Sequence, residues 1–333
     1  MMQRLLIIQT AFIGDVILAT ALIEKMKLYY QNNVEIDFLL RKGNESLLQG
    51  HPHIRHLWIW DKQKNKYGNM WRLIGQLRQQ AYTHVVNVQR FAASGIFTVL
   101  AGAKQTVGFD KNPLSCFFTR RVVHTIGNGQ HEIERNQLLI SHLTDNLPAL
   151  PRLYPLPKHY EQVAVFKRKP YVCLAPASVW FTKQFPAEKW IELVDKLPPA
   201  WQVLLMGGKE DSNLCEYIRQ HARHPQVQNI AGKLSLLAAA ALMQHAHMNY
   251  VNDSAPMHLA SAVNAPVCAI FCSTVPAFGY TPLSEKKIVI ETPEKLSCRP
   301  CGLHGKSRCP KGHFQCATSI STDVIIAQTL DVI

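Results

Sequence analysis

LLIIQTAFIGDVILATALIEKMKLYY (5–30), followed three residues later by VEIDFLL (34–40), is the stretch that decides the fold. LLIIQT (5–10) is a short apolar run of strand length. Gly14 allows a tight turn, and a helix is expected from about Asp15 to Tyr30 before the next apolar run begins. A strand, a helix and a second strand in that order make a βαβ unit, whose two strands lie parallel. LWIW (57–60) and HVVNVQ (84–89) continue the rhythm, and a helical stretch is expected around 132–144.

NLPALPRLYPLPKHY (146–160) interrupts it with Pro148, Pro151, Pro155 and Pro157, which suit neither a continuing helix nor a central strand. The rhythm restarts with YVCLAP (171–176), a helix opening at Pro186, WQVLLMGG (201–208), a helix over 210–222 and VQNIAG (227–232). A helix near 235–245, MNYVND (248–253) and PVCAIFC (266–272) complete it. The expected fold class is α/β, with two Rossmann-like doubly wound domains facing across a cleft. The first spans 1–147, a linker 148–170 and the second 171–317. STDVIIAQTLDVI reads as a terminal helix within 318–333 that could pack back on the first domain. Open parallel sheets bind ligands beyond the carboxyl ends of their strands, so the chemistry is sought there.

With 333 residues and 47% hydrophobic composition the chain can fill two cores. There is no uninterrupted apolar run of about 18 residues, and MMQRLLIIQTAFIGD has no signal-peptide pattern, so a soluble cytoplasmic protein is expected. In that reducing setting nine cysteines read as thiols or metal ligands. The net charge of +13 is uneven: 1–160 holds 19 Lys/Arg against 10 Asp/Glu, and 161–333 holds 17 against 13. A basic first half expects an acidic partner. No helix-turn-helix, RNP or zinc-finger pattern supports nucleic acid, and an anionic membrane surface ranks above it.

Five clusters of residues can carry chemistry. Asp15 opens the first helix at the end of the first strand, where capping and the helix dipole would also favour an acid. The missing G-x-G-x-x-G fingerprint disfavours a nicotinamide or flavin oxidoreductase. In APASVWFTKQFPAEKW (175–190), Ser178, Thr182 and Lys183 lie on a loop feeding a helix N-terminus, a ready phosphate site. Lys183 is flanked by Trp180, Phe181 and Phe185, which suits a solvated surface cation poorly. In VNDSAPMHLASA (251–262), Asp253 and Ser254 are cap candidates, one of which would be left to face the cleft, and His258 follows in the first helical turn.

MGGKED (206–211) places Glu210 and Asp211 where a carboxylate meets ribose hydroxyls or simply caps a helix. Finally, Cys298-x2-Cys301-x7-Cys309-x6-Cys316 is rich enough in thiols for a structural zinc, the alternative being thiols packed in a covering loop. Cysteines 116, 173, 215, 268 and 272 are expected as small core residues.

Together these blocks resemble the lipopolysaccharide heptosyltransferases, the family 9 glycosyltransferases of GT-B architecture. The resemblance is carried by IIQTAFIGDVILATALIEKMK (7–27), APASVWFTKQFPAEKWIEL (175–193), NIAGKLSL (229–236), NDSAPMHLASAVNAPVCAIF (252–271) and the late CRPC stretch. It implies an inverting transfer from a nucleotide sugar, ADP-heptose foremost, to a phosphorylated glycolipid of the lipid A-core type. The work would be done at the inner face of the cytoplasmic membrane, without a catalytic metal. It makes Asp15 the general base, sets Lys183 and Ser178 on the donor phosphates, and turns Asp253, Ser254 and His258 to the sugar and diphosphate. Leu234 would present its backbone to adenine. Two residues depart from the pattern: Ala255 where glycine is usual, and Thr20-Ala21 for Thr-Pro. Lys104, Lys111, Arg120 and Arg121 are the expected acceptor-binding cations. Alternatives are a glycosyltransferase with another nucleotide sugar and a non-catalytic sugar-nucleotide-binding protein.

Overall fold

Leu5 to Ile8 lose all contact with solvent, as a strand must when helices cover both faces of its sheet. The computed structural model of the chain describes residues 2–330. Contacts divide the chain into two units, 1–154 and 155–333.

The first unit runs β1 (Gln3–Ile8), α1 (Ile13–Tyr30), β2 (Val34–Arg41), β3 (His56–Trp60), α2 (Lys66–Arg78), β4 (His84–Asn87), α3 (Ala92–Leu100), β5 (Gln105–Phe109), β6 (Arg120–Val122) and α4 (Glu132–Gln137). Its strands are all parallel, in the order β3-β2-β1-β4-β5-β6. A core of Leu6, Ile8, Trp60, Leu73, Tyr82 and Phe97 fills one side. Asp37 is buried on β2. Arg55 grips it bidentately, Nε to Oδ1 at 2.8 Å and Nη2 to Oδ2 at 2.6 Å, and Tyr82 and Trp58 donate to it as well. Burial pushes the Asp37 carboxyl upward, but these donors outweigh it and hold the group below the usual carboxylate range.

The second unit runs α5 (Pro157–Val163), β7 (Tyr171–Ala175), α6 (Ala187–Asp195), β8 (Gln202–Leu205), α7 (Ser212–His221), β9 (Val227–Asn229), α8 (Leu236–Met243), β10 (Asn249–Asn252), α9 (Ala255–Ala262), β11 (Val267–Phe271), β12 (Lys287–Glu291), α10 (Gln315–Thr318) and α11 (Thr322–Leu330). Its six parallel strands lie in the order β12-β11-β10-β7-β8-β9. Counted within each unit, both sheets have the Rossmann order 3-2-1-4-5-6. The order therefore reverses between β1 and β4, and again between β7 and β10, and each reversal opens a crevice at the strand ends.

Two expectations are corrected. The proline-rich segment is no free linker. The Arg152 amide donates to Thr20 Oγ1 at 3.0 Å and the Tyr154 hydroxyl to Glu24 at 2.9 Å, tying its first part to α1. Pro157 then starts α5, where its missing N–H costs nothing, and α5 packs on α8. The terminal helix belongs to the second unit. Ile325 enters that unit's core, Lys196 Nζ lies 2.7 Å from Asp323, and Thr329 bonds the Tyr250 hydroxyl at 3.0 Å. One apolar stripe can bury only once, and here α6 and β12 take it. The last three residues of that predicted helix lie outside the described residues.

Candidate functional site

In the first unit, β1 ends at Ile8 and the chain turns through Gln9–Phe12 into α1. Side chains from three neighbouring loops fix that turn. Thr10 Oγ1 donates to Gln89 at 2.7 Å, Asn44 Nδ2 to the Ala11 carbonyl at 3.0 Å, and Lys62 Nζ to the Thr10 carbonyl at 3.0 Å. Asp15, third in the helix, accepts the Phe12 amide through Oδ2 at 3.2 Å. The capping role is therefore real, and because it uses one carboxylate oxygen it does not exclude proton transfer. Burial raises the Asp15 pKa, against the Phe12 amide and the charges of Arg90 and Arg41. A carboxyl held above its ordinary range is a stronger proton acceptor once ionised.

Arg41 ends β2 and Arg90 follows β4, the strands on either side of β1. Lys62 belongs to the same electropositive group: burial lowers its pKa, as do Arg41 and Lys66. Phe12, half exposed or more, lies under the Arg41 guanidinium at 5.2 Å. Sequence reading missed these cations, because parallel strands gather residues some fifty positions apart at one sheet edge. The expected acceptor cations are not brought together. Lys104 precedes β5 at the amino end of the sheet, its amide bonded to the Tyr82 carbonyl. Lys111 follows β5 at the other end, and Arg120 and Arg121 lie on the edge strand β6, three strand spacings or roughly 14 Å from β1.

In the second unit the loops after β7, β8, β9 and β10 carry the remaining candidates. Lys183 Nζ lies 2.7 Å from Asp253 Oδ2, both side chains mostly buried, and Thr274 Oγ1 donates to the same oxygen at 2.6 Å. Asn252, at the end of β10, holds the Lys183 loop. Its Nδ2 donates to the Pro176 carbonyl at 2.7 Å and its Oδ1 accepts the Phe185 amide at 2.9 Å. Half-buried Ser178 is oriented through its carbonyl, which accepts from Gln184 Nε2 at 2.6 Å. Ser254 holds the N-cap position of α9, yet neither it nor Asp253 caps through its side chain, contrary to expectation; Asp253 is committed to Lys183. Ala255 and Pro256 form the first turn of α9, and His258 is buried one turn in.

Asp211 takes the cap of the β8 loop by accepting the Gly208 amide at 2.8 Å, which leaves Glu210 exposed at the strand end. Leu234 lies on the loop after β9, just before Ser235 caps α8. Thr182 is a correction. Its hydroxyl is buried and accepts both the Lys306 amide at 2.8 Å and the Ser273 hydroxyl at 3.0 Å, so it serves the loop and not a donor.

Cys298, Cys301, Cys309 and Cys316 line one cavity of about 210 Å³. Among the described residues no three His, Cys, Asp or Glu side chains stand ready-placed around an ion. Cys173, Cys215, Cys268 and Cys272 are core residues, whereas Cys116 is exposed, contrary to expectation. Among the described residues no helix is long and apolar enough to cross a membrane.

Comparison with known proteins identifies the family of the chain. The family model described as glycosyltransferase family 9 (heptosyltransferase) matches residues 70–309. Lipopolysaccharide heptosyltransferase 3 of Escherichia coli is 28% identical over 79% of this chain and 82% of its own length. A family 9 glycosyl transferase from Veillonella parvula superposes with a TM-score of 0.86 at 18% identity, covering 99% of this chain and 97% of that one. The E. coli heptosyltransferase WaaC with ADP gives 0.80 at 17% identity, over 99% and 100%. With a family model spanning more than two-thirds of its length and the two parallel α/β domains of these structures, the chain belongs to glycosyltransferase family 9, the heptosyltransferase family.

Proposed function

We propose that the protein transfers heptose from ADP-heptose to a phosphorylated lipopolysaccharide inner-core acceptor with inversion at the anomeric carbon. The observation that carries this reading is the pair of switch points: a carboxyl of raised pKa after β1, and a buried Lys183–Asp253 pair after β7 and β10. The acceptor oxygen attacks the anomeric carbon, its proton passes to Asp15, and the bond from that carbon to the β-phosphate oxygen breaks. Lys183 and the first amides of α9 take up the negative charge of the departing diphosphate. These groups do the work a catalytic metal does elsewhere. Ser178, Ser254 and His258 complete the phosphate and sugar contacts, with Glu210 at the ribose and the Leu234 backbone at the adenine. The ADP in the WaaC structure and the lipopolysaccharide named for the E. coli relative support this choice of substrates.

The acceptor's phosphates are met by Arg41, Lys62 and Arg90, and the basic excess of the first half holds the enzyme at the inner face of the cytoplasmic membrane. The test is incubation with a panel of nucleotide sugars and a heptose-free core acceptor. Transfer from ADP-heptose alone supports the reading. Thermal stabilisation and turnover with a UDP- or GDP-hexose instead would replace it.

A further inference from the structure

Between Asp61 and Asp110 the chain carries seven Lys and Arg and not one Asp or Glu. Soluble surfaces ordinarily mix both signs, and a face of one sign repels itself until an outside charge answers it. This stretch holds α2 and α3, which lie side by side on one face of the first sheet. α2 buries Met70, Leu73, Ile74 and Leu77 against that sheet. Its outer side should then be polar throughout, as in an ordinary amphipathic surface helix. Instead Tyr67 and Trp71, one turn apart, keep 65% and 58% of their surface exposed. Gly75 and exposed Arg78 continue the stripe, and a methyl added at Gly75 would meet no atom within 4 Å. α3 has no charged side chain, and Phe91 at its N-cap position is also 65% exposed.

The cations of α2 make their contacts with neutral groups. Lys66 Nζ lies over the Tyr67 ring, 5.2 Å from its centroid, and Arg72 Nη2 donates to Asn69 Oδ1 at 3.0 Å. Their charge is left for a partner. Aromatic rings set among cations, with no carboxylate on either helix, match an anionic bilayer: Tyr and Trp settle at headgroup level, and Lys and Arg meet lipid phosphates. A second copy of this chain would bring the same cations against these and be repelled.

We propose that the outer face of α2, with Tyr67 and Trp71 as its anchors and Lys66, Arg72 and Arg78 as its phosphate contacts, docks the protein on an anionic phospholipid surface. The face borders the crevice after β1. Trp60 Nε1 donates to the Lys66 carbonyl at 3.2 Å, fixing the first turn of α2 beside the end of β3, and Lys62 reaches the turn that leads to Asp15. A glycolipid then offers its sugars to Asp15 without leaving the bilayer. Only this last step rests on the proposed acceptor; the docking face stands apart from it.

The full chain is sedimented with sucrose-loaded vesicles of phosphatidylglycerol and phosphatidylethanolamine, and with vesicles of phosphatidylcholine alone. It should bind the first, less so as salt rises, and leave the second free. The double change Tyr67→Ser, Trp71→Ser should weaken binding on the order of tenfold with the melting temperature unchanged, since both side chains are exposed. Transfer to a deacylated, soluble acceptor should be unchanged, and transfer to the same glycolipid in vesicles should fall. A second measurement does not depend on how that variant folds. Brominated lipid should quench the wild-type tryptophan emission, and Trp71→Phe should still bind yet lose most of the quenching. Undiminished quenching in Trp71→Phe, equal anionic-vesicle binding by the double variant, or equal wild-type binding to both vesicle types overturns the docking face. A concentration-dependent dimer that the double variant dissolves also overturns it. Vesicle binding without heptosyl transfer would overturn the proposed function and leave the docking face standing.

Discussion

Lys183 Nζ and Asp253 Oδ2 are 2.7 Å apart, and Thr274 donates to that same carboxylate oxygen. In the free enzyme each charge neutralises the other in a nearly dry pocket. On the proposed reading a diphosphate arriving at α9 would compete with Asp253 for the ammonium, and until then the pair leaves no unpaired buried charge. Lys183→Ala should lower kcat/KM for the donor about 10²–10³-fold. It should also cost on the order of 3 kcal/mol of stability, because Asp253 is left unpaired. Denaturant melts beside steady-state kinetics separate the two effects, and a variant that loses stability alone would remove Lys183 from the diphosphate.

Asp15→Asn keeps a side chain that can cap α1, so the fold and donor affinity should survive. Proton acceptance is lost, and kcat should fall about 10²–10⁴-fold. Near-normal turnover would reduce Asp15 to a helix cap.

The pH profile gives an independent check. Burial raises the Asp15 pKa while Arg90 and Arg41 pull it back, so activity is lost as pH falls through a value above that of an ordinary carboxylate. Removing a cation takes away part of the downward pull. Arg90→Gln should therefore move the acid limb of kcat/KM to higher pH, and an unmoved limb would mean another group titrates there.

At Asp37 the prediction concerns stability. Its folded pKa is depressed, so its contribution is fully present above the unfolded value of about 3.9 and is lost as pH falls through the lower folded value. Asp37→Asn should cost on the order of 3 kcal/mol at neutral pH and shrink the acid-induced loss seen in the wild type. Urea melts at pH 7 and in the acid range would show it.

For the acceptor, Arg41→Gln should raise KM several-fold and flatten its dependence on salt, since the interaction is screened over about 10 Å at 0.1 M. The double change Arg120→Ser, Arg121→Ser should leave both nearly as they were, because β6 is the far edge of the sheet. The reverse result would return the acceptor to that edge.

Both sheets were legible in the sequence because each strand buried on both faces is an apolar run, and Leu5–Ile8 or Val267–Phe271 cannot easily be anything else. Asp15, Lys183 and Asp253 were singled out for a related reason: each lies on the loop or first helical turn that follows a strand the sequence shows. β9 was read within VQNIAG, but β6, three residues on the sheet edge, is too short to leave a periodic trace, and β5 and β12 also went unread. The grouping of Arg41 with Arg90, and the burial of the Thr182 hydroxyl under Lys306, depend on contacts between residues distant in sequence. Local pattern carries no information about such contacts, which is why Thr182 looked like a donor ligand and Lys104 like an acceptor one.

Because both halves use the same strand order and each sheet is complete within its own half, the chain is in effect two modules, each with a core that a change in the other's loops leaves intact. If the first half meets the acceptor and the second the donor, as proposed, loops after β1 to β4 are free to change with the acceptor while those after β7 to β10 are held to one donor. Lineages of such a protein are then expected to change what they glycosylate faster than what they glycosylate with.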